Sequence, residues 1–245
     1  MEWIGQYIVD KFFGKPNVKI IHLGDHWHMD SLSSYDRGKR QAEGRRIVAD
    51  IQAGNEAFAL LNRPLEELNE KRRRRKQSQW WPERYFLIGN HEDRIMRTVE
   101  EWAALEGLLD YNLLDFRGWT VIPYLQPIEL DGVLYAHYFY NPQTGRPYSG
   151  MPETRLKNIG HSFTMGHQQG YRQAVMSFCG VRRRALIVGS CYVEGESYRG
   201  PQAQDEWRGI IVCHEVQNGD YDLMEVSLNY LSRRYGGREL HEWVA

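Results

Sequence analysis

Apolar positions recur with two different periods, and the change between them splits the chain into a helix-bearing first half and a strand-rich second half. Trp3, Ile4, Tyr7, Ile8 and Phe12 stand at helical spacing, and Gly14-Lys15-Pro16 closes the segment, which predicts a helix over residues 1–13. Residues 18–23 form a short apolar run halted by Gly24, the pattern of a buried strand. From Arg37 to Asn62 an apolar stripe through Ile47, Ile51, Phe58 and Leu61 predicts a helix weakened at Gly44 and Gly54. Pro64 is expected to start a second helix that runs into Lys71-Arg72-Arg73-Arg74-Arg75-Lys76. Residues 85–88 read as another buried strand ended by glycine, and residues 91–109 as a helix with Ile95, Val99, Trp102 and Leu105 on one face. After Gly118, strands are expected at 119–122, 128–137, 162–165, 171–178, 184–189, 209–216 and 221–226, with a surface loop over 140–150. This order fits a single α/β domain over residues 1–245, with two packed sheets and a helical insertion at about 37–80.

Composition narrows the classes. In 245 residues, 31 Lys+Arg face 32 Asp+Glu, so the formal charge of -1 rules out a globally basic nucleic-acid binder and leaves room only for a local patch. A hydrophobic content of 42% with 26% charged residues is that of a folded globule, not a disordered chain. Cys179, Cys191 and Cys213 form no CxxC pair and are expected to be small core residues in a reducing compartment. No apolar run approaches the roughly 18 residues needed to cross a bilayer. The first 13 residues carry Glu2 and Asp10 and lack a signal-peptide cleavage site, so no membrane contact and a cytoplasmic location are expected.

Several of the expected strands end on residues that bind metals. The first stops at Gly24-Asp25 and the second at Gly89-Asn90-His91-Glu92; two later ones stop at His137 and at Gly166-His167. Strand carboxyl ends in α/β sheets converge on one crevice, so four such endings point to one site. Carboxylate, amide oxygen and imidazole without thiolate suit Mn, Fe or Zn.

In order and strand context, these residues resemble the calcineurin-like metallophosphoesterases from about Val18 to Val226. The word Gly89-Asn90-His91-Glu92 is the most specific part, arising by chance in on the order of one in a thousand chains of this length. Gly189-Ser190-Cys191-Tyr192, Gly200-Pro201-Gln202 and Trp207-Arg208-Gly209 are similar to phage-encoded members, which would put the protein in host cytoplasm. The resemblance implies a four-layer α/β/β/α sandwich of two mixed sheets. It implies two divalent ions, Mn2+ or else Fe or Zn, with Asp25 bridging them and Asn90, His137 and His167 completing the second ion's shell. His91 would be the catalytic histidine, protonating the leaving oxygen of a phosphomonoester or phosphodiester, and His28 would occupy the position of the residue that orients it. Family nucleases acting on DNA ends often carry histidine there.

Two departures shape the alternatives. Family members open with a strand ending in Asp-x-His, whereas this chain opens on what reads as the following helix, so its start is expected to lie inside a longer reading frame. Under a repair model, His22, His26, His28 or Asp30 would supply a substitute ligand. Gly166-His167-Gln168-Gln169 stands where the family has Gly-His-x-His, leaving Gln169 as a candidate ligand alongside His26, with Arg94 a candidate for holding a phosphate oxygen. The alternatives are a non-catalytic binding module on the same fold and a nuclease. For the latter, the run Lys71-Arg72-Arg73-Arg74-Arg75-Lys76 before Trp80-Trp81 is either a nucleic-acid contact or a solvated helix end partnered by Glu66, Glu67 and Glu70.

Overall fold

The amphipathic N-terminal pattern forms helix α1 (Glu2–Phe12), which packs on a long helix α2 (Ile47–Arg74). The computed structural model describes residues 1–193 and 206–243, and the mixed α/β chain divides into two units, Met1–Tyr124 and Leu125–Ala245. In the first unit, strands β1 (Lys19–His22), β2 (Glu83–Leu87) and β3 (Thr120–Ile122) pair in parallel in the order β1-β2-β3. α2 links β1 to β2, and α3 (Arg94–Glu101) lies between β2 and β3. β1 is half-buried along its whole length rather than buried, in keeping with its place at the sheet edge.

Three expectations are corrected here. Residues 37–46 hold turns and a short 3-10 segment, so the helix begins only at Ile47. Pro64 lies inside α2 and does not start a new helix: the buried stripe of Phe58, Leu61 and Leu65 continues through it and holds both sides against the same core. α3 stops at Glu101, so Trp102 falls off the predicted face and is 62% exposed. Gly54, expected to weaken the helix by about 1 kcal/mol, is where the indole of Trp27 rests. A Cβ there would come within 2.0 Å of Trp27 Cδ1. Trp27 also donates its Nε1–H to Asn55 Oδ1 at 3.0 Å and packs with Phe58, Phe86 and Phe116.

The second unit is built on a five-stranded mixed sheet in the order β4-β5-β8-β10-β9. Its strands are β4 (Ile128–Leu130), β5 (Val133–Ala136), β8 (Phe163–Met165), β9 (Arg172–Phe178) and β10 (Val181–Ile187). The single strand expected over 128–137 is instead the β4–β5 hairpin, turned at Asp131-Gly132 with φ of 52° and 81°. Asp-Gly is a strong hairpin signal that the apolar run concealed. The 140–150 loop contains a short ribbon of β6 (Tyr140–Asn141) and β7 (Arg146–Pro147). A helix not foreseen in the sequence, α4 (Pro152–Ile159), begins on proline and ends at left-handed Gly160. It packs on β9 and β10 over Leu156, Phe163, Met165 and Ile187. Strands β11 (Gly209–Gln217) and β12 (Asp220–Ser227) form an antiparallel ribbon, followed by the short helix α5 (Leu228–Leu231). The ribbon's turn meets the β4–β5 turn backbone to backbone: Gly219 N–H donates to Asp131 O at 3.0 Å, and a Cβ on either Gly132 or Gly219 would come within 2.5 Å of the other turn. Cys179, expected in the core, is exposed at the β9–β10 turn, while Cys191 and Cys213 are half-buried.

One buried cation stands out. Arg155 on α4 is 4% exposed; its Nη1 donates to Met165 Sδ at 3.4 Å and its Nε has no partner among the described residues. Burial, with the like charge of Arg172, pushes its pKa down. Arg155→Met is therefore expected to raise the urea unfolding midpoint by the equivalent of about 1–2 kcal/mol. A fall of that size would show instead that the guanidinium is compensated.

Candidate functional site

In the first unit, the ends of β1 and β2 are bound together by one carboxylate. Glu92 is 0% exposed, and its two oxygens accept four backbone N–H groups. Oε2 takes Gly89 N–H at 2.8 Å and Asp25 N–H at 2.9 Å; Oε1 takes His26 N–H at 2.6 Å and Trp27 N–H at 2.8 Å. The two loops approach so closely that a Cβ on Gly24, whose φ is 87°, would lie 2.6 Å from Gly89 N. A Cβ on Gly89 would lie 2.2 Å from Asp25 Oδ1. Asp25 itself is left-handed at φ 55°, a conformation that costs about 1 kcal/mol or more without glycine. Its Oδ1 accepts His91 N–H at 3.0 Å, which fixes the carboxylate's orientation. Asn90 sits between these anchors, its carbonyl accepting Arg97 Nη2 at 2.7 Å.

His91 and His28 face one another, with Nδ1 atoms 3.0 Å apart and rings stacked at 5.0 Å. Arg94 determines who holds the proton. A guanidinium only donates, so His91 Nε2, 3.3 Å from Arg94 Nη2, accepts. With Nε2 accepting in this way, a neutral His91 ring would carry its proton on Nδ1, on the side of His28 Nδ1. Arg94 also donates through Nη1 to His28 O at 2.8 Å and to Asp30 Oδ1 at 2.9 Å. The structure thus places Arg94 as the brace of the histidine pair. His26 is placed against α2: its Nε2 donates to Gly54 O at 2.9 Å and its ring packs on Trp27 and Phe58. His22 Nδ1 accepts Gly24 N–H at 3.2 Å.

In the second unit, β5 and β8 run in parallel with Ala136 opposite Met165, so the residues after them emerge side by side. Gly166 N–H donates to His137 O at 3.1 Å, and His137 Nε2 lies 3.2 Å from His167 Nδ1. His137 is 3% exposed, whereas His167, left-handed at φ 67°, is exposed. The separation has two chemical meanings. It suits one N–H···N hydrogen bond, and it suits two ligands of a single ion, because imidazole nitrogens about 2.1 Å from one metal at cis positions lie roughly 3.0–3.4 Å apart. The donor set therefore fits a divalent metal. The Tyr138 ring lies 4.9 Å from His167 and walls this pair. Gln169, left-handed at φ 60°, has its Oε1 held by the Tyr192 hydroxyl at 2.6 Å.

Comparison with family models, with curated proteins and with solved structures returned no match. The Gly200-Pro201-Gln202 phrase of the sequence lies outside the described residues, as does most of the neighbouring 192–204 segment. Sequence reasoning missed the roles of Glu92, Arg94 and Tyr192. Glu92 stood inside a recognised word, but nothing local reveals that three of its four partners are 65 to 67 positions away.

Two outcomes are expected from these contacts. Glu92→Gln keeps the shape but turns an NH2 toward two backbone donors, and should cost about 3 kcal/mol in urea unfolding. An unchanged midpoint would contradict the four-bond anchor. Burial lowers the pKa of His26 to about 4, against the smaller raising effect of its bond to Gly54. Because the folded value lies below the unfolded one of about 6.5, the unfolded chain takes up the proton first. Stability is therefore full above about pH 6.5 and lost as pH falls toward 4. His26→Gln should flatten that decline in urea midpoints measured across this range.

Proposed function

We propose that this chain is a metal-dependent phosphoesterase hydrolysing a phosphomonoester or phosphodiester. The observation that carries the reading is the His137–His167 pair, presented 3.2 Å apart at the carboxyl ends of adjacent parallel strands. The braced Asp25, Asn90 and His91 turn in the first unit supports it. In this reading Asp25, Asn90, His137 and His167 supply ligands to divalent ions, with Mn2+ favoured by the oxygen and imidazole donors. The four-layer α/β/β/α sandwich belongs to the same proposal. When bound, such ions supply a water-derived nucleophile at neutral pH and positive charge for the phosphate oxygens.

The chain's own residues do the rest. Glu92 keeps the two loops in register, so Asp25 meets its ligand position already oriented. In this reading His91 serves as the acid only in its doubly protonated imidazolium form, giving one proton to the departing oxygen and returning to the neutral ring, while Arg94 keeps the His91–His28 pair aligned. Arg94 is committed to Asp30 and the histidines, so it acts on the phosphate through them. One observation favours a second reading, a binding module without turnover: the carbonyl oxygen of Gln169, at a position where the resemblance expects a ligand, already accepts from Tyr192.

Metal content measured together with bis-p-nitrophenyl phosphate turnover separates the two. The phosphoesterase reading expects bound divalent metal and chelator-sensitive, reversible turnover. Asn90→Ala and His167→Ala should each abolish turnover and lower the metal content while leaving the urea midpoint unchanged. His91→Ala should keep the metal and lose roughly 100-fold or more in rate. Metal-free, inactive and well-folded protein would overturn the reading in favour of the binding module.

A further inference from the structure

Away from the candidate site, the first unit carries a surface where cations and aromatic rings are built together. α2 ends in Lys71-Arg72-Arg73-Arg74, and Arg75 and Lys76 follow directly. The chain then folds back along its own helix. Gln77 N–H donates to Arg72 O at 2.9 Å, Arg72 Nε donates to Ser78 O, and the Asn69 amide grips both Trp80 N–H at 2.7 Å and Trp80 O at 2.8 Å. This return brings Trp80 beside the basic turn, with Trp81 next to it in the chain. Phe13, at the end of α1, meets Trp80 edge-on at 5.8 Å, and the Arg72 guanidinium lies 5.0 Å from the Phe13 centroid. Arg84 lies 5.0 Å from the Trp81 centroid. Phe13 remains 42% exposed and Trp81 46%.

The charges there are largely uncancelled. Arg73 and Arg74 share the single carboxylate of Glu70, each at 2.8 Å. Lys71, Arg75 and Lys76 are exposed and have no ion-pair partner among the described residues. A solvated helix end needs charge alone, whereas here Phe13 and Trp81 each stand with a guanidinium group 5.0 Å from the ring centroid. Here rings are held in fixed positions, in the open, among cations. Phosphates and unstacked bases together complement that combination: cations track a backbone, and exposed rings accept base faces of any sequence. A duplex shows no free base faces. An acidic membrane favours apolar side chains that project clear of charge, unlike rings with guanidinium groups about 5 Å away.

We propose that this surface, formed by Lys71, Arg75 and Lys76 with Trp81 and Phe13, binds single-stranded nucleic acid. It lies within one unit and does not rest on the phosphoesterase reading. The test uses the full chain in EDTA, so binding is scored with hydrolysis silenced. Labelled oligo(dT) and oligo(U) of about twenty nucleotides are titrated by anisotropy and tryptophan quenching, and the tighter of the two identifies DNA or RNA as the favoured strand. Three phosphate contacts predict a slope of about −2 for log K against log salt. The triple variant Lys71→Glu, Arg75→Glu, Lys76→Glu should lose tenfold or more in affinity at about 0.1 M salt. Trp81→Ala should lose roughly fivefold to a hundredfold with the salt slope unchanged. All four positions are exposed, and an unchanged urea midpoint confirms that the variants fold. No binding, salt-independent binding, equal affinity of the triple variant, or equal affinity for duplex would each overturn the proposal. So would binding to phosphatidylserine vesicles without binding to either oligonucleotide.

Discussion

The Glu92 carboxylate is the constraint on which the first unit depends. A buried, ionised carboxylate is costly unless its lone pairs are satisfied, and here four backbone donors from two loops satisfy them. The dependence runs both ways. Without the carboxylate, four N–H groups at the ends of two neighbouring parallel strands would lack acceptors. The same contact sets the backbone of Trp27, whose indole fills the space above Gly54, so the candidate site and the aromatic core share one anchor. Asp25 holds its left-handed conformation because the loops on either side of it are tied at both ends.

Much of this was readable from residue order. Glycine after an apolar run marked where β1 and β2 end, because two strand ends can cross closely only where a Cβ is absent. The period-two and helical patterns located α1, β2 and most strands of the second unit. What escaped is instructive. Pro64 carries a strong local signal for a helix boundary, yet packing on both of its sides outweighs the missing backbone bond. The β4–β5 hairpin was hidden because apolar residues continue on both sides of Asp131-Gly132. Helix α4 is too short to declare a period, although its proline start and Gly160 stop were both present.

The site was legible as a set of ligand types and less so as a network. Sequence order places His137 and His167 after strands, and parallel pairing of β5 with β8 then makes them neighbours. It does not tell which histidines are committed elsewhere. His26 and His28 are two positions apart, yet one binds a helix carbonyl and the other stacks on His91. Nor does it reveal that Arg94 sets a tautomer or that Tyr192 occupies the carbonyl of Gln169, since both effects depend on residues brought together by the fold.

Hairpin tips are ordinarily the places where a lineage accumulates insertions and a protein engineer adds a tag. The two tips at Asp131-Gly132 and Asn218-Gly219 have lost that freedom, because each occupies the space that a longer turn in the other would need. Length variation in either must be compensated in its counterpart, so the two turns are bound to drift together. The β6–β7 tip around Gly145, where an added Cβ meets nothing within 4 Å, carries no such debt and is the natural place in the second unit for new sequence to enter.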